Sequence, residues 1–203
     1  MKKLILFFLL AICSALVFAQ PKLSPDNIDQ VLQAMTLEEK ASLLVGVSPG
    51  NLVPGTAGGT RAIPAGPGLV YSYCEGSPMS VAQVAASPVK SSGIAPVFST
   101  SYKERDDHFG LIFKGLLKIE NGGIYRLSLT SDDGSALWLD GQPLLDLDHD
   151  GGGTADAWVK LEAGYHRLEV RFFENFAEEA LRVGLEGPGL AVENITANML
   201  YHE

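Results

Sequence analysis

Between residues 120 and 187 the chain is cut by turn sequences into apolar segments that are strand-length. The breaks are Glu120-Asn121-Gly122-Gly123, Asp132-Asp133-Gly134-Ser135, Asp140-Gly141, Ala163-Gly164 and the run from Asn175 to Glu179. Gly, Asn and Asp reverse a backbone at low steric cost. Between them lie Ile124 to Ser131, Ala136 to Leu139, Pro143 to Leu147, Ala155 to Leu161, Tyr165 to Glu174 and Ala180 to Glu186. In the first, Tyr125, Leu127 and Leu129 share one face and Arg126, Ser128 and Thr130 the other, the period of a half-buried strand. Leu69 to Glu75 and Leu111 to Ile119 extend the series upstream. Strands joined by such short turns pair antiparallel. The expected fold is mainly β: an antiparallel β-sandwich over residues 68–203, with a short N-terminal helical segment.

Composition supports a packed core. The AVILMFWYC set is 46% of 203 residues and charged residues are 19%, which excludes wholesale disorder. A formal net charge of −9, with no basic cluster beyond the first three residues, excludes nucleic-acid or anionic-membrane binding by charge. Of two cysteines, Cys13 lies in the expected leader and Cys74 is then alone, so the fold stands without a disulfide.

Residues 1–19 read as a secretory signal peptide. Lys2 and Lys3 precede an uncharged run from Leu4 to Phe18, and Val17-Phe18-Ala19 is a small-x-small cleavage pattern. The run is too short to span a bilayer, and no other segment is apolar enough. An exported chain follows, periplasmic, extracellular or at the cell surface. Residues 20–46 read as helical: Ser24 caps, Pro25 starts, and Ile28, Val31, Leu32 and Met35 share a face. Thr36-Leu37-Glu38-Glu39 restarts a second helix that ends at Gly46. Residues 47–67 are rich in Gly and Pro without periodicity, a linker by composition.

Two resemblances add to this. Gly68-Leu69-Val70-Tyr71-Ser72-Tyr73-Cys74-Glu75-Gly76, Phe113-Lys114-Gly115 and above all Ser131-Asp132-Asp133-Gly134-Ser135-Ala136-Leu137-Trp138-Leu139-Asp140-Gly141 resemble the PA14, or protective-antigen-type, domain. Ala163-Gly164-Tyr165-His166 and Glu186-Gly187-Pro188-Gly189 follow in the same order. Cys74 departs from the family, which usually has an aromatic there. Ile28-Asp29, Met35-Thr36-Leu37-Glu38-Glu39-Lys40, Leu43-Leu44-Val45-Gly46 and Val53-Pro54-Gly55-Thr56-Ala57-Gly58 are similar to the N-terminus of family-three glycoside hydrolases, the β-glucosidase class. Nothing here is long enough to be the barrel that carries catalysis in those enzymes.

The PA14 resemblance implies chemistry at Asp132 and Asp133. In sugar-binding relatives an adjacent aspartate pair holds Ca²⁺, which in turn chelates vicinal sugar hydroxyls. Hard carboxylate oxygens suit that ion. The alternative is a hairpin turn whose Asp side chains bond their own backbone. Asp146, Asp148 and Asp150 spell the first half of a calcium loop, but the twelfth position is Ala157, which excludes an EF-hand. A simpler acidic Ca²⁺ loop and a solvated Asp/Gly connection both remain. Trp138 and Trp158 are candidate sugar platforms, with the core as the alternative place for each. Glu174, Asn175, Glu178 and Glu179 stand on a loop that could border a ligand or be a solvated turn. No catalytic motif is present. The expected role is non-catalytic carbohydrate binding in a saccharide-degrading system, associated with glycoside hydrolases. A truncated family-three glycoside hydrolase and a structural or adhesive domain are the alternatives.

Overall fold

The computed structural model describes residues 52–53, 62–78 and 80–203. The expected signal peptide and helical stub, residues 1–46, lie outside the described residues, as does most of the expected linker.

In chain order the elements are β1 (Leu52–Val53), β2 (Gly66–Pro67), β3 (Leu69–Glu75), helix α1 (Val81–Ala86), β4 (Ser91–Ala95), β5 (Phe109–Ile119), β6 (Gly123–Asp132) and β7 (Ser135–Leu139). There follow β8 (Gln142–Leu147), β9 (Gly153–Leu161), β10 (Gly164–Glu174), β11 (Ala180–Gly187), β12 (Leu190–Asn194) and β13 (Leu200–His202). One sheet runs β1-β9-β6-β11-β12, the other β2-β13-β5-β10-β7-β8, with β3 and β4 attached beside β5. Every described pair is antiparallel except β1 on β9. The mainly β, antiparallel expectation therefore holds. Two described pieces of the stretch expected as a linker, β1 and β2, pair with the sheets. Pro67 is tolerated because β2 is an edge strand, where a missing N–H costs no ladder bond.

The alternation in β6 does what its sequence implies: Tyr125, Leu127 and Leu129 are buried. They face inward with Val159 and Leu161 of β9 and Val183 and Leu185 of β11, against Leu111, Phe113 and Leu117 of β5 and Val170 and Phe172 of β10. Each such side chain contributes about 1.5–3 kcal/mol by leaving water. Among the described residues the only cysteine, Cys74, is free, so this core carries the fold there without a disulfide. A second, smaller cluster lies under α1, where Val81 and Val84 cover Cys74, Ala136 and Phe173. The helix comes this close because Gly110 has no side chain. A Cβ there would meet Val84 Cγ1 at 2.8 Å and Cys74 Sγ at 2.9 Å. Cys74 thus packs beneath a helix rather than in the main core, where its small volume fits.

The sandwich brings three connections to one end: the β6–β7 turn, the β8–β9 loop and the β10–β11 loop. Hydrogen bonds join their residues across the three connections.

Candidate functional site

Asp133 is the hub of this end. It is 8% exposed, and the peptide joining it to Asp132 is cis. Its Oδ1 accepts from Gly151 N at 2.9 Å and its Oδ2 from Asn175 N at 2.9 Å, so it clips two neighbouring loops to its own turn. Each carboxylate oxygen has two lone pairs, so one on each stays available after these bonds. The Asp133 backbone N–H donates to Glu174 Oε2 at 3.1 Å. Asn175 Nδ2 donates to Asp150 Oδ1 at 3.1 Å.

Gly152 makes the close approach possible. It holds φ +49, and any Cβ there would run into the carbonyl oxygens of Ser131 and Asp133. Only glycine combines that left-handed backbone with that contact.

Two oxygens at the hub are left without partners. Glu174 Oε1 and Asn175 Oδ1 are buried and accept no hydrogen bond, although Glu174 is fully buried and Asn175 is 6% exposed. Orphaned buried acceptors are uncommon and costly, and each asks for an explanation such as an ion. The carboxyl of Glu174 is pushed up to about 8. Burial is the main cause and the neighbouring Asp133 carboxylate the next; the Asp133 N–H bond opposes both, while Asp132 and Glu179 add further repulsion. The donors gathered here are all oxygens: the carboxylates of Asp132, Asp133 and Asp150 and the amide of Asn175. That set fits a hard cation of the Ca²⁺ type. Among the described residues no three His, Cys, Asp or Glu side chains converge on a single point. An ion here would complete its shell with amide, backbone or ligand oxygens.

The remaining expected residues go elsewhere. Asp148 Oδ1 accepts from Val81 N at 2.7 Å, so this carboxylate receives the first helical N–H of α1. Asp146 Oδ1 accepts from Asp148 N at 2.9 Å, a local turn bond. Of the three aspartates in the run, Asp150 alone has its carboxylate bonded into the Asp133 hub among the described residues, and Gly151 joins it through its backbone N–H. Trp138 and Trp158 occupy the outer faces of opposite sheets, since Trp138 stands opposite Glu169 on β10 and Trp158 opposite Arg126 on β6. Trp138 carries the Arg171 guanidinium at 4.4 Å from its ring and packs on the small cluster under α1. Neither tryptophan belongs to the main core, and neither joins the aspartate pair.

Sequence reasoning missed Phe176. It follows Asn175 directly and is 68% exposed, with the His108 ring edge-on at 4.5 Å. Ala177 holds φ 81 behind it and donates its N–H to Asp107 Oδ1 at 3.2 Å. The signal was available: a large aromatic inside a polar turn has no core to enter.

The molecule can be set beside known ones. No curated protein sequence matches it. Among solved structures, an anti-sigma factor domain-containing protein from Clostridium clariflavum superposes at a TM-score of 0.58 and 22% identity over 73% of this chain. The present chain spans 52% of that protein. The PA14 sugar-binding domain from an RTX adhesin gives 0.57 at 19% identity, covering 68% of this chain and 100% of that one. The A domain of epithelial adhesin 6 from Candida glabrata, solved in complex with Galβ1-3GlcNAc, gives 0.55 at 12% identity over 71% and 90%. At these identities the likeness is one of fold. The sequence match is more specific, because the PA14 domain model aligns with residues 66–191. With the Asp132-Asp133 turn, the two-sheet topology and that alignment in agreement, this chain belongs to the PA14 domain family.

Proposed function

We propose that this protein is an exported, non-catalytic glycan-binding module whose ligand is held through Ca²⁺ at the loop end of the sandwich. The observation that carries this reading is the orphaned buried oxygen Asn175 Oδ1 beside the Asp133 carboxylate. Asp132, Asp133 and Asn175 would hold the ion, with Asp150 orienting the Asn175 amide. The ion would supply an exposed Lewis-acidic point for two sugar hydroxyls. Phe176, exposed beside Asn175, offers a face for the apolar side of a pyranose ring. Two solved domains of the same fold support the glycan reading by their descriptions, one as sugar-binding and one with a disaccharide bound. Export is supported by Lys2, Lys3 and the uncharged run from Leu4 to Phe18. Among the described residues no helix is long and apolar enough to cross a membrane. Association with glycoside hydrolases rests on the family-three resemblance of residues 28–58.

Glu174 is the one group that invites an enzymatic reading, since a buried carboxyl with a raised pKa beside a second carboxyl group resembles an acid–base pair. It is fully buried, so it cannot reach a glycosidic oxygen. Purified chain should therefore leave an aryl β-glucoside unhydrolysed; turnover would establish the family-three enzyme reading instead. The binding test is retention on a glycan array with Ca²⁺ and with chelator. Calcium-dependent retention that disappears in Asp133→Asn is expected. No retention under either condition would leave a structural or adhesive domain.

A further inference from the structure

The outer face of the sheet that contains β5, β10 and β7 carries a groove of about 340 Å³ that includes none of the hub residues. Its lining includes Lys114, Trp138, Arg167, Glu169, Arg171 and Glu203. The strand registers explain how it forms. Val70, Lys114, Glu169 and Trp138 stand directly opposite one another across β3, β5, β10 and β7, making one row across the sheet. Arg167 and Arg171 flank Glu169 two positions away on the same face of β10, as a strand's period of two requires.

The charges there are not balanced. Arg171 Nε donates to Glu169 Oε1 at 2.6 Å, and Lys114 Nζ reaches the other oxygen of the same carboxylate at 3.5 Å. Arg167 gives Nε and Nη2 to Glu203 at 3.2 and 2.7 Å. Lys114, Arg167 and Arg171 thus face Glu169 and Glu203, while the Asp140 carboxylate that also acts on Arg167 is itself paired with His166, on a chain whose formal net charge is −9. Arg171 is held from two sides, by Glu169 and by the Trp138 ring at 4.4 Å, and its side chain is only 23% exposed. Its bond to Glu169 uses Nε and leaves the terminal Nη groups for a ligand. Held guanidinium forks match a carboxylate in both spacing and plane. Glu169 and Glu203 add acceptors for hydroxyl groups, and the volume is at the lower end of the range for small-ligand sites.

We propose that this groove is a second, calcium-independent binding site for a carboxylate-bearing saccharide, a uronate residue of an acidic glycan. The carboxylate lies between Lys114, Arg167 and Arg171, and the sugar hydroxyls face Glu169 and Glu203. In chelator the loop end does not serve such a ligand, because without an ion Asp132, Asp133 and Asp150 repel it.

The test is a titration of the full chain, in chelator, with a trigalacturonate and with a neutral galactose trimer. Saturable binding of the uronate in the range of about 0.1–1 mM is expected, weakening as salt rises because the attraction is between partly exposed charges. Lys114→Gln and Arg167→Gln should each weaken it at least about threefold and the double variant about tenfold or more. Both side chains are more than half exposed, 59% and 56%, so the fold survives their loss. Asp133→Asn should leave the uronate titration unchanged while it abolishes calcium-dependent retention, so the two sites fail separately. No binding of the uronate at about 10 mM, equal binding of the neutral trimer, or a double variant that binds like the parent would each overturn the proposal.

Discussion

His166 is fully buried, yet both of its ring nitrogens are hydrogen-bonded. Nδ1 meets Asp140 Oδ2 at 2.7 Å and Nε2 meets the Glu162 carbonyl at 2.9 Å. A carboxylate and a carbonyl can only accept, so both nitrogens donate and the ring is an imidazolium. Burial works against that charge, but the bonds to Asp140 and Glu162 outweigh it, and the pKa ends above its ordinary value. Asp140 is also held by Arg167 N at 2.8 Å, so the pair staples the β7–β8 turn to the start of β10. His166→Gln removes the charge and at least one bond, so that Asp140 loses the imidazolium while keeping its bond from Arg167 N. Breaking one side of a buried ion pair costs about 3–5 kcal/mol, and the remaining Arg167 bond brings the expectation to about 2–4 kcal/mol. The sign of the pH dependence follows from the raised folded value. The staple's contribution is complete below the ordinary imidazole value of about 6.5 and is lost as pH rises through the folded one. Urea unfolding of parent and variant should show the difference largest near pH 6 and shrinking toward pH 9. Asp140→Asn in a double-mutant cycle should recover a coupling of more than about 1 kcal/mol at the lower pH. A parent-minus-variant difference that is flat or grows with pH would refute the charged-ring argument.

Glu174→Gln keeps an acceptor for Asp133 N but cannot ionise. With the folded carboxyl at about 8, the parent's relative stability is complete below about 4.5 and lost as pH rises through 8, so in chelator the variant should outlast it at pH 9 by about 2–4 kcal/mol in urea melts. Gly152→Ala places a Cβ against the Ser131 and Asp133 carbonyls at positive φ; thermal melts should show a loss above about 2 kcal/mol, accompanied by loss of calcium-dependent glycan retention. Arg126→Ala removes contacts to Asp156 at 3.0 Å and Glu186 at 3.6 Å on a partly exposed sheet face, and should cost no more than about 1 kcal/mol, less in high salt.

The long strands were legible because their side chains declare a period: β5, β6, β9, β10 and β11 fall where alternation and Gly-containing turns place them. β4 did not, since Ser91–Ala95 is polar and Gly-containing and holds its place through backbone bonds to β3. Helix α1 is six residues long, below what local propensity sustains, and depends on the Ser80 cap, the Asp148 carboxylate and the seat left by Gly110. The orientation of Trp138 could have been read, because Leu137 and Leu139 flank it and their burial turns it outward. The candidate site divides along the same line. Asp132-Asp133 is visible as a local turn, but what makes the turn more than that comes from Glu174 and Asn175, 41 and 42 residues further along the chain. Whether a carboxylate in the 146–150 run serves a helix, its own turn or the hub is decided by which loop meets it after the sandwich closes. An unsatisfied oxygen is likewise a property of closure, because every acceptor is satisfied by water in the open chain. The feature that best argues for an ion here could therefore not have been found at the level of sequence.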